Sequence, residues 1–336
     1  MKKIEIKSPT RVDLAGGTLD LWPLYQFIGG AKTVNVAIDI YTYATLHDSD
    51  FIEWKSEDLK VEKKYKSLSE ALSDSDPQVK LFKTIITYLQ PQKGFRLVTK
   101  SESPVGGGLG GSSSLTISIL KAFSIWQGHF FENVHQMVHV AHNLEAQILN
   151  TPTGTQDYYP AVTGGVNILN YTTRGIEQEV LNIESSPLAT HFLLVNTGKS
   201  HHSGLNNFEV MKAAVAKETV CLKALHDLKE ISTDLEAVVR QQSWSRLPEL
   251  FNAEFEARVR LAPAFSSPEI EKLAILTKKA GAEAVKICGA GGGGCILVWT
   301  PPERREKVVE ACRSQNFQVM DAKPLNSIRN PLQSGF

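Results

Sequence analysis

One stretch combines the residue types that suit a phosphate: Pro104-Val105-Gly106-Gly107-Gly108-Leu109-Gly110-Gly111-Ser112-Ser113-Ser114. Leu115, Ile119, Leu120, Phe123 and Trp126 follow at helical spacing. A helix beginning at the serines aims unpaired N–H groups and the positive end of its dipole into the glycine loop. Phosphate accepts several such bonds and carries the matching charge. Glycine lets the backbone approach the phosphate oxygens closely. The serines can cap the helix, and a serine hydroxyl can also reach a magnesium ion. No lysine precedes the serines, so the loop is not a Walker A loop. Glu102-Ser103-Pro104 is a poor strand end, which argues against a Rossmann turn.

Three carboxylates are candidates for a polar or metal-binding role. Glu145 falls on the stripe Val134, Met137, Val138, Ala141 and Ile148 of a predicted helix. A carboxylate on an apolar face is costly unless paired or bound to a metal. Its alternative is a place at the edge of the stripe with the tip in water. His135, His139 and His142 lie on the same helix, but no partner cysteine or paired carboxylate motif accompanies them. Asp157 lies in Thr153-Gly154-Thr155-Gln156-Asp157, shortly before Gly164-Gly165. Taken alone it could be any turn aspartate. Asp20 follows a strand ending in Gly16-Gly17, which could grip a small polar ligand or form an ordinary turn. A second glycine loop, Gly289 to Gly294, runs directly into the apolar Cys295-Ile296-Leu297-Val298-Trp299, so it reads as strand–loop–strand. His201-His202-Ser203 reads as a polar loop, with a place beside a substrate as the alternative.

Alternation predicts strands at 4–6, 12–14 and 31–46, and further strands lie at 95–98 and 192–195. Helices are predicted over 79–89, after Ser112 and over 134–148. A long helical region covers 208–260, with breaks at Ser232 and Trp244-Ser245. Ser267 and Pro268 start another helix that ends at Gly281. Residues 55–80, with Lys63, Lys64 and Lys66, read as an exposed connection with a short helix. Lys+Arg and Asp+Glu both number 36, so no basic excess points to nucleic acid. No apolar run reaches the roughly eighteen residues of a membrane helix. The N-terminus lacks a signal-peptide core, and Cys221, Cys288, Cys295 and Cys312 show no C-x-x-C spacing. These features predict reduced thiols and a cytoplasmic protein.

The first glycine stretch resembles the P-x-x-x-G-L-G-S-S phosphate loop of the GHMP kinases, through Pro104, Gly108, Leu109, Gly110 and Ser112. Gly111 stands where most members have the first serine. Pro9 to Asp20 resembles the family's first motif. Within the family it is closest to the heptose-phosphate and fucose kinases, with Leu19 in place of a threonine and Thr18 one position early. Lys286 to Gly294 resembles the third motif, with Cys288 replacing its hydroxyl residue. In the family this last loop lies against the phosphate loop, so Cys288 and Cys295 are expected to pack rather than react.

The resemblance spans nearly the whole chain and implies a two-domain α+β fold. Residues 1–185 would form an ATP-binding domain with a mixed, ribosomal-protein-like sheet. Residues 186–336 would form a ferredoxin-like domain, with the active site in the cleft. It implies ATP held by Pro104, Gly106, Gly107, Gly108, Leu109, Gly110, Gly111, Ser112, Ser113 and Ser114. It implies Mg2+ on Ser112 and Glu145. Asp157 would take the proton from the substrate hydroxyl, and Arg11 would stabilise charge beside it. Asp20 would receive sugar hydroxyls, with Gly17, Gly164, Gly165, Gly291 and Gly292 shaping the substrate side.

The implied acceptor is a sugar or sugar phosphate, first of all the anomeric hydroxyl of D-glycero-D-manno-heptose 7-phosphate. Fucose or galactose comes next and mevalonate third. A 7-phosphate would want a cationic clamp, for which Lys199 and Lys32 are candidates. No nucleic acid or membrane partner is implied, and a homodimer is the assembly the resemblance allows. Some proteins of this fold have lost catalysis and serve as ligand sensors. The retained Asp157, Glu145 and Ser112 favour an enzyme.

Overall fold

In the computed structural model, which describes residues 3–184, 186–199, 203–289 and 291–332, the strands fall into two sheets. The larger holds β1 (Ile4–Ala15), β2 (Ala31–Asp48), β3 (Ile52–Ser56), β4 (Val61–Tyr65), β5 (Phe95–Ser101), β6 (Val166–Thr172) and β7 (Gly175–Leu181). Its order is β4-β3-β5-β2-β6-β7, with β1 paired along β2. β3 and β5 run parallel while the neighbouring pairs are antiparallel, so the sheet is mixed. The long run of alternating apolar residues lets β2 pair with β6 through Ala31–Val36 and with β5 through Thr42–Asp48.

The smaller sheet holds β8 (Phe192–Asn196), β9 (Ala284–Ile287), β10 (Cys295–Trp299) and β11 (Gln318–Met320). Its order is β11-β8-β10-β9, all antiparallel. Helices connect β8 to β9 and β10 to β11, which gives the β-α-β-β-α-β pattern of a ferredoxin-like unit. The fold is thus the expected two-domain α+β arrangement.

The two sheets meet through an apolar cluster. Val12, Leu14, Val34 and Val36 pack with Leu194, Leu297 and Trp299. The helix Gly111–Gln127 also lies on β1 and β2. β1 is therefore buried at every residue from Ser8 to Ala15. A polar side chain on this strand must find its partners inside the protein. That requirement fixes Arg11 and Asp13.

The structure departs from the sequence reading in two places. Residues 55–80 contain β4, not only a connection and the short helix Leu68–Ser73. Val61 and Tyr65 are buried, while Lys63 pairs with Asp74 and Asp76, and Lys64 pairs with Glu53. Charge on an edge strand hides its alternation. The long helical region divides into Ser203–Val215, Thr219–Gln241 and Leu247–Leu261. Its first break falls near Lys217, which has φ +58°, and not at Ser232. The Ser232 hydroxyl is absorbed within the helix by the Lys229 carbonyl at 2.9 Å. The expected break at Trp244-Ser245 is a 3-10 turn.

After β11 the chain returns to the larger sheet. Leu325 N–H donates to the Ala37 carbonyl, and Ile328 N–H to that of Thr163. No described helix is long and apolar enough to cross a membrane. Ser200, His201, His202 and Ala290 lie outside the described residues.

Candidate active site

The helix Gly111–Gln127 begins as required for a phosphate loop. Its N-cap is Gly110, at φ +71°, and no side chain caps it. Ser112 and Ser113 lie in the first turn rather than at the cap, which corrects the expected capping role. The first-turn N–H groups thus keep their donor capacity for a ligand. A Cβ on Gly110 would stand 3.1 Å from both Cβ and Oδ2 of Asp157, so this position must be small as well as left-handed.

Pro104, Gly106, Gly107, Gly108, Gly110, Gly111, Ser112 and Ser113 line one cavity, together with Arg11, Asp20, Glu145 and Asp157. Two expected nucleotide-side residues do not line it. Leu109 is buried in the apolar cluster between the sheets. Ser114 turns inward, with its hydroxyl 3.0 Å from the Ser8 carbonyl and 2.8 Å from the Thr42 hydroxyl.

Arg11 joins the parts of the site. Its Nε and Nη2 donate to Asp157 Oδ1 at 2.8 and 2.6 Å. Its Nη1 donates to the Gly108 carbonyl at 2.7 Å and to the Cys288 carbonyl at 2.8 Å. One guanidinium therefore ties a strand of the larger sheet to the phosphate loop, to Asp157 and to the second glycine loop. Burial opposes its charge, but Asp157 and Asp13 outweigh that penalty and raise its pKa.

Glu145 faces the first turn of the helix. Its Oε2 accepts from Ser113 Oγ at 3.1 Å and from the Tyr158 hydroxyl. Burial pushes its pKa up, and no described cation forms an ion pair with it. A carboxylate and serine hydroxyls are hard oxygen donors, so the group suits Mg2+. Asp20 accepts from the Gln156 N–H at 3.0 Å, and burial pushes it up to about 6. Gly154 lies so close that a Cβ would meet Asp20 Oδ2 at 2.0 Å.

The second glycine loop abuts the first. A Cβ on Gly289 would come within 2.7 Å of Gly108 Cα, and Cys295 N–H donates to the Gly107 carbonyl at 2.8 Å. Cys288 and Cys295 are free and buried, and burial pushes the Cys288 thiol up to about 12. That is the state of packing residues, not of nucleophiles.

Several glycines expected on the substrate side do other work. A Cβ on Gly17 would strike Asp13 Oδ2 and Arg258 Nη1, at 2.6 and 2.7 Å. Gly17 therefore makes room for buried charges. Gly164 and Gly165 turn the chain into β6 and receive the C-terminal tail, with Gly164 bridged to Ser327. Gly291 packs on the backbone of Phe265, and Gly292 N–H points to the Phe265 carbonyl. Lys32 and Lys199 are also elsewhere, paired with Glu236 and Glu269.

At one wall of the cavity, which Arg258 lines, sits a buried group of four charges. Lys286 Nζ contacts Asp13 Oδ2 at 3.3 Å and Glu254 Oε2 at 3.5 Å. Arg258 contacts the same two carboxylates at 3.9 and 3.7 Å. It also donates to Thr18 Oγ1 at 3.0 Å and to the Gly289 carbonyl. Glu254 and Arg258 escaped the sequence reading. Their signal was present, since both fall on the buried stripe Leu247, Leu250, Phe251, Ala257 and Leu261. Thr18, Gly154, Gln156 and Asn207 also line the cavity and were not singled out as ligand-binding residues.

The chain matches the N-terminal domain of the GHMP kinases over residues 79–165 and their C-terminal domain over 234–318, together about half of its length. It belongs to the GHMP kinase family, and is an ATP-dependent phosphotransferase of that family. Its similarity to D-glycero-alpha-D-manno-heptose 7-phosphate kinase of Campylobacter jejuni is 26% identity, over 96% of both chains. Its similarity to mevalonate kinase of Thermococcus onnurineus is 24% identity, over 84% of this chain and 86% of that one. The fold is shared with a D-glycero-D-manno-heptose 1-phosphate kinase from Bacteroides thetaiotaomicron, at TM-score 0.77 and 24% identity over 96% of both chains.

Proposed function

We propose that this kinase transfers the γ-phosphate of ATP to a hydroxyl of a sugar or sugar phosphate, through domains at 1–185 and 186–336. The carrying observation is the placement of two carboxylates beside one phosphate loop. Asp157 stands beside Gly110 at the start of the helix, and Asp20 lines the same cavity. ATP phosphates would lie on Gly106 to Ser113. Asp157 would orient the acceptor hydroxyl and take its proton, while Arg11 holds the carboxylate in place. Asp20 would accept a bond from a second hydroxyl. Ser112 and Glu145 would hold Mg2+, which when bound offsets phosphate charge. Catalysis would then be mostly positioning and electrostatics.

Among acceptors we place the anomeric hydroxyl of D-glycero-D-manno-heptose 7-phosphate first, on the similarity to the Campylobacter jejuni kinase. Fucose, galactose and mevalonate follow. ADP release with Mg-ATP across this panel, with unphosphorylated heptose added, tests the reading. Turnover on one sugar supports it, and turnover on mevalonate alone overturns the sugar assignment. Silence on all with ATP bound favours a ligand sensor.

A further inference from the structure

Thr18 is buried at 5% exposure and has φ +75°. A β-branched residue in the left-handed region is strained. The other described non-glycine residues at positive φ are unbranched and exposed, at turns and helix ends. Glycine would hold this backbone without strain. The side chain must therefore supply what the backbone does not need.

Its hydroxyl occupies a defined place. Oγ1 accepts from Arg258 Nη1 at 3.0 Å, so its own proton is directed elsewhere. Its one hydrogen-bond acceptor among the described residues is Asn207 Oδ1, at the long distance of 3.5 Å. Arg258 also lines this cavity, buried between Asp13 and Glu254 and held by the Gly289 carbonyl, so protein groups fix its position behind the Thr18 hydroxyl. A fixed cation behind a hydroxyl makes that hydroxyl a stronger donor. Thr18 lines the cavity two residues from Asp20. The pair offers one donor and one acceptor side by side.

We infer that Thr18 is a specificity-determining residue, whose hydroxyl donates to an oxygen of the acceptor while Asp20 accepts from a hydroxyl of the same molecule. The pair fits a polyol with neighbouring oxygens. The inference rests on the proposed sugar-kinase reading of the site.

The test uses the purified full chain with Mg-ATP, the best acceptor of the panel and its monodeoxy analogues. Thr18→Gly is expected to raise the acceptor KM about tenfold or more and to leave the ATP KM within about twofold. Thr18→Ser, which keeps the hydroxyl, is expected to stay within about threefold of wild type. One deoxy analogue should show the same KM with wild type and Thr18→Gly, because it lacks Thr18's partner. An unchanged acceptor KM in Thr18→Gly overturns the inference. So does an equal rise in both KM values, which marks a purely structural role, or a Ser variant as impaired as Gly. Failure of the underlying reading shows separately, as wild type inactive on every sugar, and removes the inference with it.

Discussion

Arg11 donates both Nε and Nη2 to the same oxygen of Asp157, Oδ1, at 2.8 and 2.6 Å. Oδ2 takes no hydrogen bond from the described residues and stands beside Gly110. The carboxylate is thus divided between an oxygen that anchors and an oxygen that faces the phosphate loop. Asp157→Asn keeps an anchoring oxygen but loses the basic one. Turnover should fall about a hundredfold or more, with ATP affinity unchanged by titration. Near-normal turnover would sink the role assigned to Oδ2.

Gly110 holds that geometry. Gly110→Ala places a methyl 3.1 Å from Asp157 at a backbone φ of +71°. The conformational cost is about 1 kcal/mol. Turnover should drop by about tenfold or more as Asp157 is displaced, and thermal unfolding should show a small loss of stability. Wild-type kinetics would mean the contact relaxes freely.

Asp20 gives a pH signature. Its pKa is raised from 3.8 to about 6, first by burial. The folded state therefore binds this proton more tightly than the unfolded state. The stability Asp20 contributes is full below pH 3.8 and is lost as pH rises through about 6. Function runs the other way, because only the carboxylate accepts strongly from a hydroxyl. The acceptor KM should rise as pH falls below about 6 and be level above pH 7. Asp20→Asn should abolish that dependence and be more stable than wild type at pH 7 by up to about 3 kcal/mol. A wild-type KM that is flat between pH 5 and 7 would refute the assignment.

Much of this was legible in the sequence because glycine runs and motif order are local signals. Gly106, Gly107, Gly108, Gly110, Gly111, Ser112, Ser113, Asp157, Glu145, Arg11 and Asp20 line one cavity, where the glycine loop and the family resemblance placed them. Gly17, Gly164, Gly165, Gly291 and Gly292 show the limit of that reasoning. A glycine announces close approach but not what approaches, and here it is buried charge, the tail or the Phe265 backbone. Arg258 and Thr18 meet through a contact 240 positions apart, which no periodicity reports. β4 was missed because its three charged residues, Glu62, Lys63 and Lys64, outnumber its two buried anchors.

Lys121 makes a prediction about stability alone. It lies in the phosphate-loop helix with no exposed surface, bonded among the described residues only to the Val162 carbonyl at 3.2 Å, and burial lowers its pKa from 10.5 to about 7. Between those values the unfolded state binds more protons than the folded one, so this group's contribution rises with pH. Lys121→Met should be more stable than wild type near pH 7, and the gap should narrow by about 4 kcal/mol toward pH 10.5. A gap that does not change with pH, in denaturant unfolding at each pH, would contradict a neutral buried lysine.

The most direct test follows the phosphate itself. Wild type and Asp157→Asn are incubated with γ-labelled ATP, Mg2+ and the acceptor found by ADP release, and the label is located. One labelled phosphate is expected on the acceptor per ADP in wild type, with a product yield about a hundredfold lower in Asp157→Asn and ATP still bound. Label released as inorganic phosphate, with the acceptor unmodified, would contradict transfer to the acceptor.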